Sequence, residues 1–293
     1  MKHQFIATHA HRYPVRAMCR ALQVSSSGYY AARTRAPSMR SERQTLLTAQ
    51  IRAVHVASRR TYGAPRVHAE LGAQGIECSL NTVAKLMRQA KLIPKAIRWF
   101  RVTTDSRNTK AAPNLVGRVF QVDEPNACWL SDITYIPTRE GWLYLAAILD
   151  VYSREIVGWG MSKTLDCQLA ISALEMAIRR RGSSPTVLHS DQGSTYAAAE
   201  YCALLGRYAI RQSMSRKGNC WDNAPMESFF HTLKTELVMH CDYQSRDEAR
   251  ASLFEYMEVF YNRQRRHSTN GYEAPLAFEG STNARFNSST VRG

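Results

Sequence analysis

Residues 187–196 read VLHSDQGSTY, and residues 215–237 read SRKGNCWDNAPMESFFHTLKTEL. The short run Thr186-Val187-Leu188 predicts a buried strand, which Gly193 breaks ahead of a helical segment. Asp191 therefore falls at a strand's carboxyl end, where open α/β sheets place their sites. Asp222, Asn223 and Pro225 announce a helix whose buried stripe is Met226, Phe229, Phe230, Leu233 and Leu237. Glu227 lies in its first turn, off the main line of that stripe, and Lys234 falls near it on the same side. A carboxylate at a strand end and another on a docking helix make part of a metal cage. The rest of the cage must lie upstream.

Upstream, residues 129–136 read WLSDITYI, an apolar strand interrupted by Asp132. A carboxylate there is costly unless a metal, an arginine or exposure at a strand end compensates it. Arg139-Glu140-Gly141 reads as a hairpin turn, residues 142–149 as a second strand and residues 155–161 as a third. An amphipathic helix over 169–180 follows, with Leu169, Ala173, Met176 and Ala177 inward. The strand–helix–strand crossover makes the fourth strand parallel to an earlier one. Beside the first strand, it brings Asp132 and Asp191 together. Three antiparallel strands followed by alternating helices and strands is the order of a ribonuclease-H-like α/β fold. Asp132, Asp191 and Glu227 can then hold two Mg²⁺ ions about 3.5–4 Å apart around a phosphodiester. Asp150 is the nearest rival, but the hairpin pairs Asp132 with about residue 147, which leaves Asp150 to the turn. Glu236 is out of helical phase with Glu227 and is excluded from the cage.

Charge is unevenly distributed. Residues 1–120 hold 21 Lys and Arg against 4 Asp and Glu, whereas residues 121–293 hold 18 against 20. A basic excess confined to one half indicates an arm that grips a polyanion, joined to a near-neutral working domain. The 7 cysteines are scattered without a C-x-x-C pair, which argues against a zinc finger or redox dithiol and suits reduced thiols in a cytoplasm. No apolar run is long enough for a bilayer span and no signal peptide opens the chain, so an intracellular protein is expected.

The basic half reads as helical modules. Residues 1–38 contain a short helix (Val15, Met18, Cys19, Leu22), a serine turn and a second helix, resembling a helix-turn-helix. Residues 39–93 form a second helix-turn-helix unit. Its first helix turns Leu46, Leu47, Ile51 and Val54 inward, and its last buries Leu80, Val83, Leu86 and Met87. Asn81, Lys85 and Arg88 then face DNA phosphates. Residues 94–121 are a basic linker, residues 122–280 the catalytic core, and residues 281–293 a polar, disordered tail.

The segments WLSDITYI, HSDQGSTY, GNCWDNAPMESFF and YNRQRRHSTNGYEAP together resemble the OrfB part of transposases of the IS-three insertion-sequence family, whose core is similar to retroviral integrases. The resemblance covers nearly the whole chain and places the family's DDE triad on Asp132, Asp191 and Glu227 and its basic residue on Lys234. It implies metal-dependent strand cleavage at element ends, then strand transfer by the freed 3′ hydroxyl, with Mg²⁺ as cofactor and Mn²⁺ as a substitute. It also implies terminal inverted repeats and target DNA as partners, a homo-oligomer on DNA, and fusion to or action with an upstream OrfA product. The place of action is the bacterial cytoplasm, at the nucleoid. Arg216, Lys217, Arg263 and Arg266 are further candidate DNA contacts. His189 and Asn223 are read as supports of the carboxylates, with a core histidine as the competing reading for His189. Competing functions are a purely hydrolytic ribonuclease-H-like nuclease and a DNA-binding regulator with an inactive core.

Overall fold

A computed structural model describes residues 2–34, 36, 38–95, 112–216 and 220–290. Most of the expected linker, and Lys217, lie outside the described residues. The chain divides into two compact units, Met1–Ala53 and Val54–Gly293, so the boundary falls inside a helix rather than at the proline and serine linker.

The first unit holds α1 (Lys2–His9), α2 (Val15–Ala21), α3 (Ser26–Thr34) and most of α4 (Met39–Ala57). Ile6, Met18, Cys19 and Tyr29 are its small core. α2 and α3 are the two helices expected from the sequence, and α1 is additional.

The second unit begins at the end of α4. It continues with α5 (Ala64–Ala73) and α6 (Leu80–Gln89). Gly63 precedes α5, and Pro65 occupies its first turn, where the missing N–H costs nothing. Ser79 caps α6 by accepting from the Thr82 N–H. Val83, Leu86 and Met87 are buried as expected, but Leu80 is exposed, as is Leu46 on α4. Both sit at the margin of an apolar stripe, where periodicity alone cannot say how far the neighbouring helix reaches.

A five-stranded sheet follows, ordered β3-β2-β1-β4-β5. Its strands are β1 (Cys128–Thr138), β2 (Gly141–Asp150), β3 (Ile156–Ser162), β4 (Val187–Ser190) and β5 (Arg211–Met214). The β1–β2 hairpin pairs Asp132 with Ala147, the expected register. β4 runs parallel to β1, with Leu130 opposite His189. One face of the sheet is covered by α7 (Cys167–Arg181) and α8 (Ala199–Arg207). α7 presses so close on β3 that a Cβ added at Gly158 would lie 2.4 Å from the Ala173 carbonyl. The other face is covered by α9 (Ala224–Glu236), α10 (Arg246–Glu255) and a π-helical turn over Tyr256–Tyr261. Met226, Phe229, Phe230 and Leu233 anchor α9 there, each fully buried side chain contributing about 1.5–3 kcal/mol. Alternation along β1 separates the two cores: Leu130 and Ile136 face α9, Trp129 faces α7.

The α5–α6 unit is bolted to this second layer. Arg59 forms a bidentate pair with Glu255 and lies over the Phe260 ring. Tyr62 donates to the Gln264 carbonyl, and Arg66 to the Arg266 carbonyl at 2.9 Å. Finally, α11 (Pro275–Thr290) carries helix through most of the stretch expected to be disordered. No described helix is long and apolar enough to cross a membrane.

Candidate active site

On β1, only Cys128–Leu130 pair with β4, so β1 runs on beyond it with one edge past the parallel ladder. Carried two residues further, the Leu130–His189 register sets Asp191, just after β4, beside Asp132. Glu227 reaches the same place from the first turn of α9. The three candidate carboxylates are thus supplied by a strand interior, a strand end and a helix start.

Their electrostatics carry the mark of that convergence. Burial pushes the Asp132 carboxyl up to about 8, and the Asp191 charge pushes the same way. The Ile133 N–H, 2.7 Å from Oδ1, opposes the shift, Glu227 reinforces it, and Lys234 opposes it. Asp191 is raised by burial against the pull of the Gly193 N–H at 2.9 Å. Glu227 is raised by burial. Like charges crowded in a partly dry site hold protons more tightly. Among the described residues, no three His, Cys, Asp or Glu side chains close to metal-ligand geometry. Asp132 and Asp191 instead each accept from a neighbouring backbone N–H.

Lys234 is half-buried two turns along α9 from Glu227, with Nζ 5.3 Å from the centroid of the Tyr135 ring. Burial lowers its pKa, while the Asp132 charge raises it.

The turn before Glu227 holds the main feature that sequence reasoning missed. Asp222 is fully buried and accepts from the Arg216 N–H, Nε and one terminal nitrogen, from Arg118 Nε at 2.9 Å and from Asn114 Nδ2 at 3.0 Å. The side-chain donors of Arg216, first among them, hold its carboxyl far below the usual range. Asp222 thereby gathers the stretch before β1, the exit from β5 and the start of α9. The signal available was an acid beside a helix start with an arginine six residues before it, which reads more simply as a cap. Asn223, also cap-like in sequence, makes no capping bond. Its Nδ2 donates to the Ser131 carbonyl at 3.3 Å, while Oδ1 is buried without a hydrogen-bond partner.

Several expectations are corrected here. His189 does not support Asp191: it is buried, with Nδ1 2.8 Å from Ser213 Oγ and Nε2 3.1 Å from Ser215 Oγ. Burial pulls its pKa down to about 4, so it is a neutral core residue. The Arg216 guanidinium, a candidate DNA contact, is instead bonded to Asp222. Arg266 does not reach outward: Nε bonds Glu70 at 2.6 Å and another nitrogen the Tyr272 carbonyl. Its neighbour Arg265 is buried against Glu236, which also accepts from the Tyr256 hydroxyl at 2.8 Å. Arg263 is exposed, as are Asn81, Lys85 and Arg88 on α6. Asp150 has the structural role expected of it, accepting from the Asn126 and Tyr152 N–H groups and from Arg181.

Comparison with known proteins places this arrangement. Integrase core domain families match residues 122–220 and 227–282, and an HTH-like domain family matches residues 41–98. Transposase InsF of insertion sequence IS3A from Escherichia coli (strain K12) is 42% identical over 284 residues, 95% of this chain and 98% of that protein. The chain belongs to the IS3 family of insertion-sequence transposases. A 31 kDa protein of insertion element IS600 from Shigella sonnei is 44% identical over 263 residues, 89% of this chain and 97% of that protein. Among solved structures, a simian T-cell lymphotropic virus intasome bound to PP2A subunit B56 gamma gives a TM-score of 0.46 at 18% identity, covering 72% of this chain and 70% of that chain. The HTLV-2 integrase catalytic core in complex with magnesium gives 0.41 at 17%, covering 54% and 99%. The IS3 transposase chain thus joins an HTH-like module to an integrase core, with Asp132 and Asp191 in one family match and Glu227 at the start of the other.

Proposed function

We propose that Asp132, Asp191 and Glu227 are the catalytic carboxylates of this transposase and hold two divalent ions, Mg²⁺ with Mn²⁺ as a substitute. The observation that carries the reading is Asp132: a carboxylate inside an apolar strand, disfavoured by burial and by two further carboxylates. That cluster is unfavourable unless a cation compensates it. The donor set fits such an ion. It is all carboxylate oxygen, the preference of Mg²⁺, and the unpartnered Asn223 Oδ1 belongs to the residue that contacts Ser131, next to Asp132. When bound, the metal neutralises phosphodiester charge and acidifies the attacking oxygen.

Around it, the chain's own residues divide the work. In the first reaction a water oxygen attacks phosphorus at the element's end and the P–O3′ bond breaks, leaving a 3′ hydroxyl and a 5′ phosphate. In the second, the freed 3′ oxygen attacks a phosphodiester of another strand, whose own 3′ oxygen leaves. Each attacking oxygen gives up a proton and each leaving oxygen gains one. Lys234 holds phosphate oxygens close to Asp132, and α9 fixes its distance from Glu227 because both ride on one helix. The buried Asp222 and Asn223 keep the start of that helix against β1. On the front module, Asn81, Lys85 and Arg88 bind the phosphates of the terminal inverted repeat, joined by Arg263 on the core and by Lys217. The protein works as a homo-oligomer on end and target DNA, with or fused to an upstream OrfA product, in the cytoplasm at the nucleoid.

An end-cleavage and strand-joining assay on labelled terminal-repeat DNA tests this. Glu227→Gln loses both products; unchanged joining by that variant overturns the triad. Hydrolysed ends without joined products, from the unaltered chain, would reduce the activity to that of a nuclease.

A further inference from the structure

The structure has an aromatic surface that the cleavage reaction does not use. Tyr135 on β1 and Trp142 on β2 stack edge to face, with centroids 5.3 Å apart at 73°. Cross-strand aromatic pairs commonly stabilise a hairpin, but such pairs gain by burying each other. Here Tyr135 stays 44% exposed and Trp142 51% exposed. They lie near the hairpin end of β1, beyond the part of the strand that β4 covers. Both stand on the sheet face opposite Asp132, since Tyr135 is an odd number of residues away and Trp142 pairs with Pro137. Lys234 bridges the two faces. It belongs to α9, on the Asp132 side, yet its ammonium sits over the Tyr135 ring.

The hairpin that presents the rings is braced by Arg246 at the start of α10. Arg246 donates to the Trp142 carbonyl at 3.0 Å and to the Glu140 carbonyl at 2.6 Å, and its backbone N–H donates to the Glu140 carboxylate. The backbone that carries Trp142 is therefore held in place, which reduces the ordering left to do on binding.

We propose that Tyr135 and Trp142 form a stacking platform for unpaired DNA bases of the strand whose phosphate lies at Asp132, with Lys234 holding the intervening backbone. Exposed rings next to a cation are the usual equipment for gripping single-stranded nucleic acid, since every base offers a π-face and every nucleotide a phosphate. A bare apolar patch would suit many partners. This one is continuous, through Lys234, with the site where a DNA strand reacts. β1 rises about 3.3 Å per residue, so the backbone of Tyr135 stands roughly 10 Å along the strand from that of Asp132, a spacing of a few nucleotides at most. A strand that is opened at the cleavage point would lay its loosened bases across the rings and be kept from re-pairing. The proposal rests on Asp132 marking the reaction site.

The test is a binding titration of the full chain, in chelator to suppress chemistry, with a short oligothymidylate and with a hairpin duplex of equal length. Trp142→Ala and Tyr135→Leu each weaken oligothymidylate binding about tenfold and leave the duplex nearly unchanged, while Trp142→Phe retains most of the affinity. Thermal melting of each variant confirms that it is folded. Tyr135→Leu keeps apolar bulk on the strand in case Trp142→Ala loosens the hairpin. Equal oligothymidylate affinity in all variants, or equal losses on both DNAs, overturns the platform. Failure of the triad shows separately, as joining activity that survives Asp132→Asn.

Discussion

Asn223 Nδ2 donates to the backbone carbonyl of Ser131 at 3.3 Å, tying the turn ahead of Glu227 to the strand position ahead of Asp132. Two carboxylates nearly a hundred residues apart in sequence are thereby referenced to each other through one side chain. Removing the tie should hurt activity more than stability. Asn223→Ala is expected to lose about 1 kcal/mol or less of stability, one modest hydrogen bond. Strand joining per folded molecule should fall about a hundredfold, the effect of misplacing a reacting group by roughly 1 Å. Parallel urea unfolding and joining assays check it; equal fractional losses would make Asn223 merely structural.

Asp222 is expected to matter for stability outright. It is fully buried and takes side-chain bonds from Arg118, Arg216 and Asn114. Asp222→Ala should cost about 3 kcal/mol at neutral pH in urea unfolding. Because the folded carboxyl is held below its unfolded value, the contribution is fully present above about pH 4 and is lost as pH falls further. The gap between wild type and variant should therefore close in acid.

Asp132 should behave in the opposite sense. Its folded pKa is raised to about 8, so the folded state binds the extra proton. Its favourable contribution is present below about pH 4 and disappears as pH rises through 8. With divalent ions chelated, Asp132→Asn should be inactive yet melt higher than wild type, by a margin that grows from pH 5 to pH 8. Adding Mg²⁺ should restore the wild type selectively. A margin independent of pH and metal would mean that the carboxylate is not strained as described.

The front module makes a prediction about salt. Lys85 and Arg88 are exposed on α6, with Asn81 one turn earlier. Replacing either cation with alanine should weaken binding to any duplex similarly and reduce the slope of log affinity against log salt by about 1. A slope unchanged by both substitutions would move the DNA elsewhere on the chain.

Much of this fold is legible in the sequence. Period-two alternation with a hairpin signal yields the β1–β2 register, with Asp132 opposite Ala147 and Asp150 left to the turn, because a one-residue slip would turn every buried side chain to solvent. The strand–helix–strand crossover makes β4 parallel to an earlier strand, and its place beside β1 brings Asp191 to Asp132. These are local or topological rules, and sequence carries them.

What sequence could not assign was the partner of each polar group. In sequence, His189 and Asn223 read as supports of the carboxylates and Asp222 as a helix start. Only packing made the first a neutral core histidine on two serines, the second a strap to β1 and the third an anchor for two arginines. The same holds for YNRQRRH, which reads as a basic surface. In the fold, Asn262 bonds to Ile156 on β3, Arg265 to Glu236 and Arg266 to Glu70. Charge and spacing fix which side chains can form a bond. Which of them does depends on neighbours brought from far along the chain, 196 residues away for Glu70 and Arg266, and no local pattern encodes that meeting.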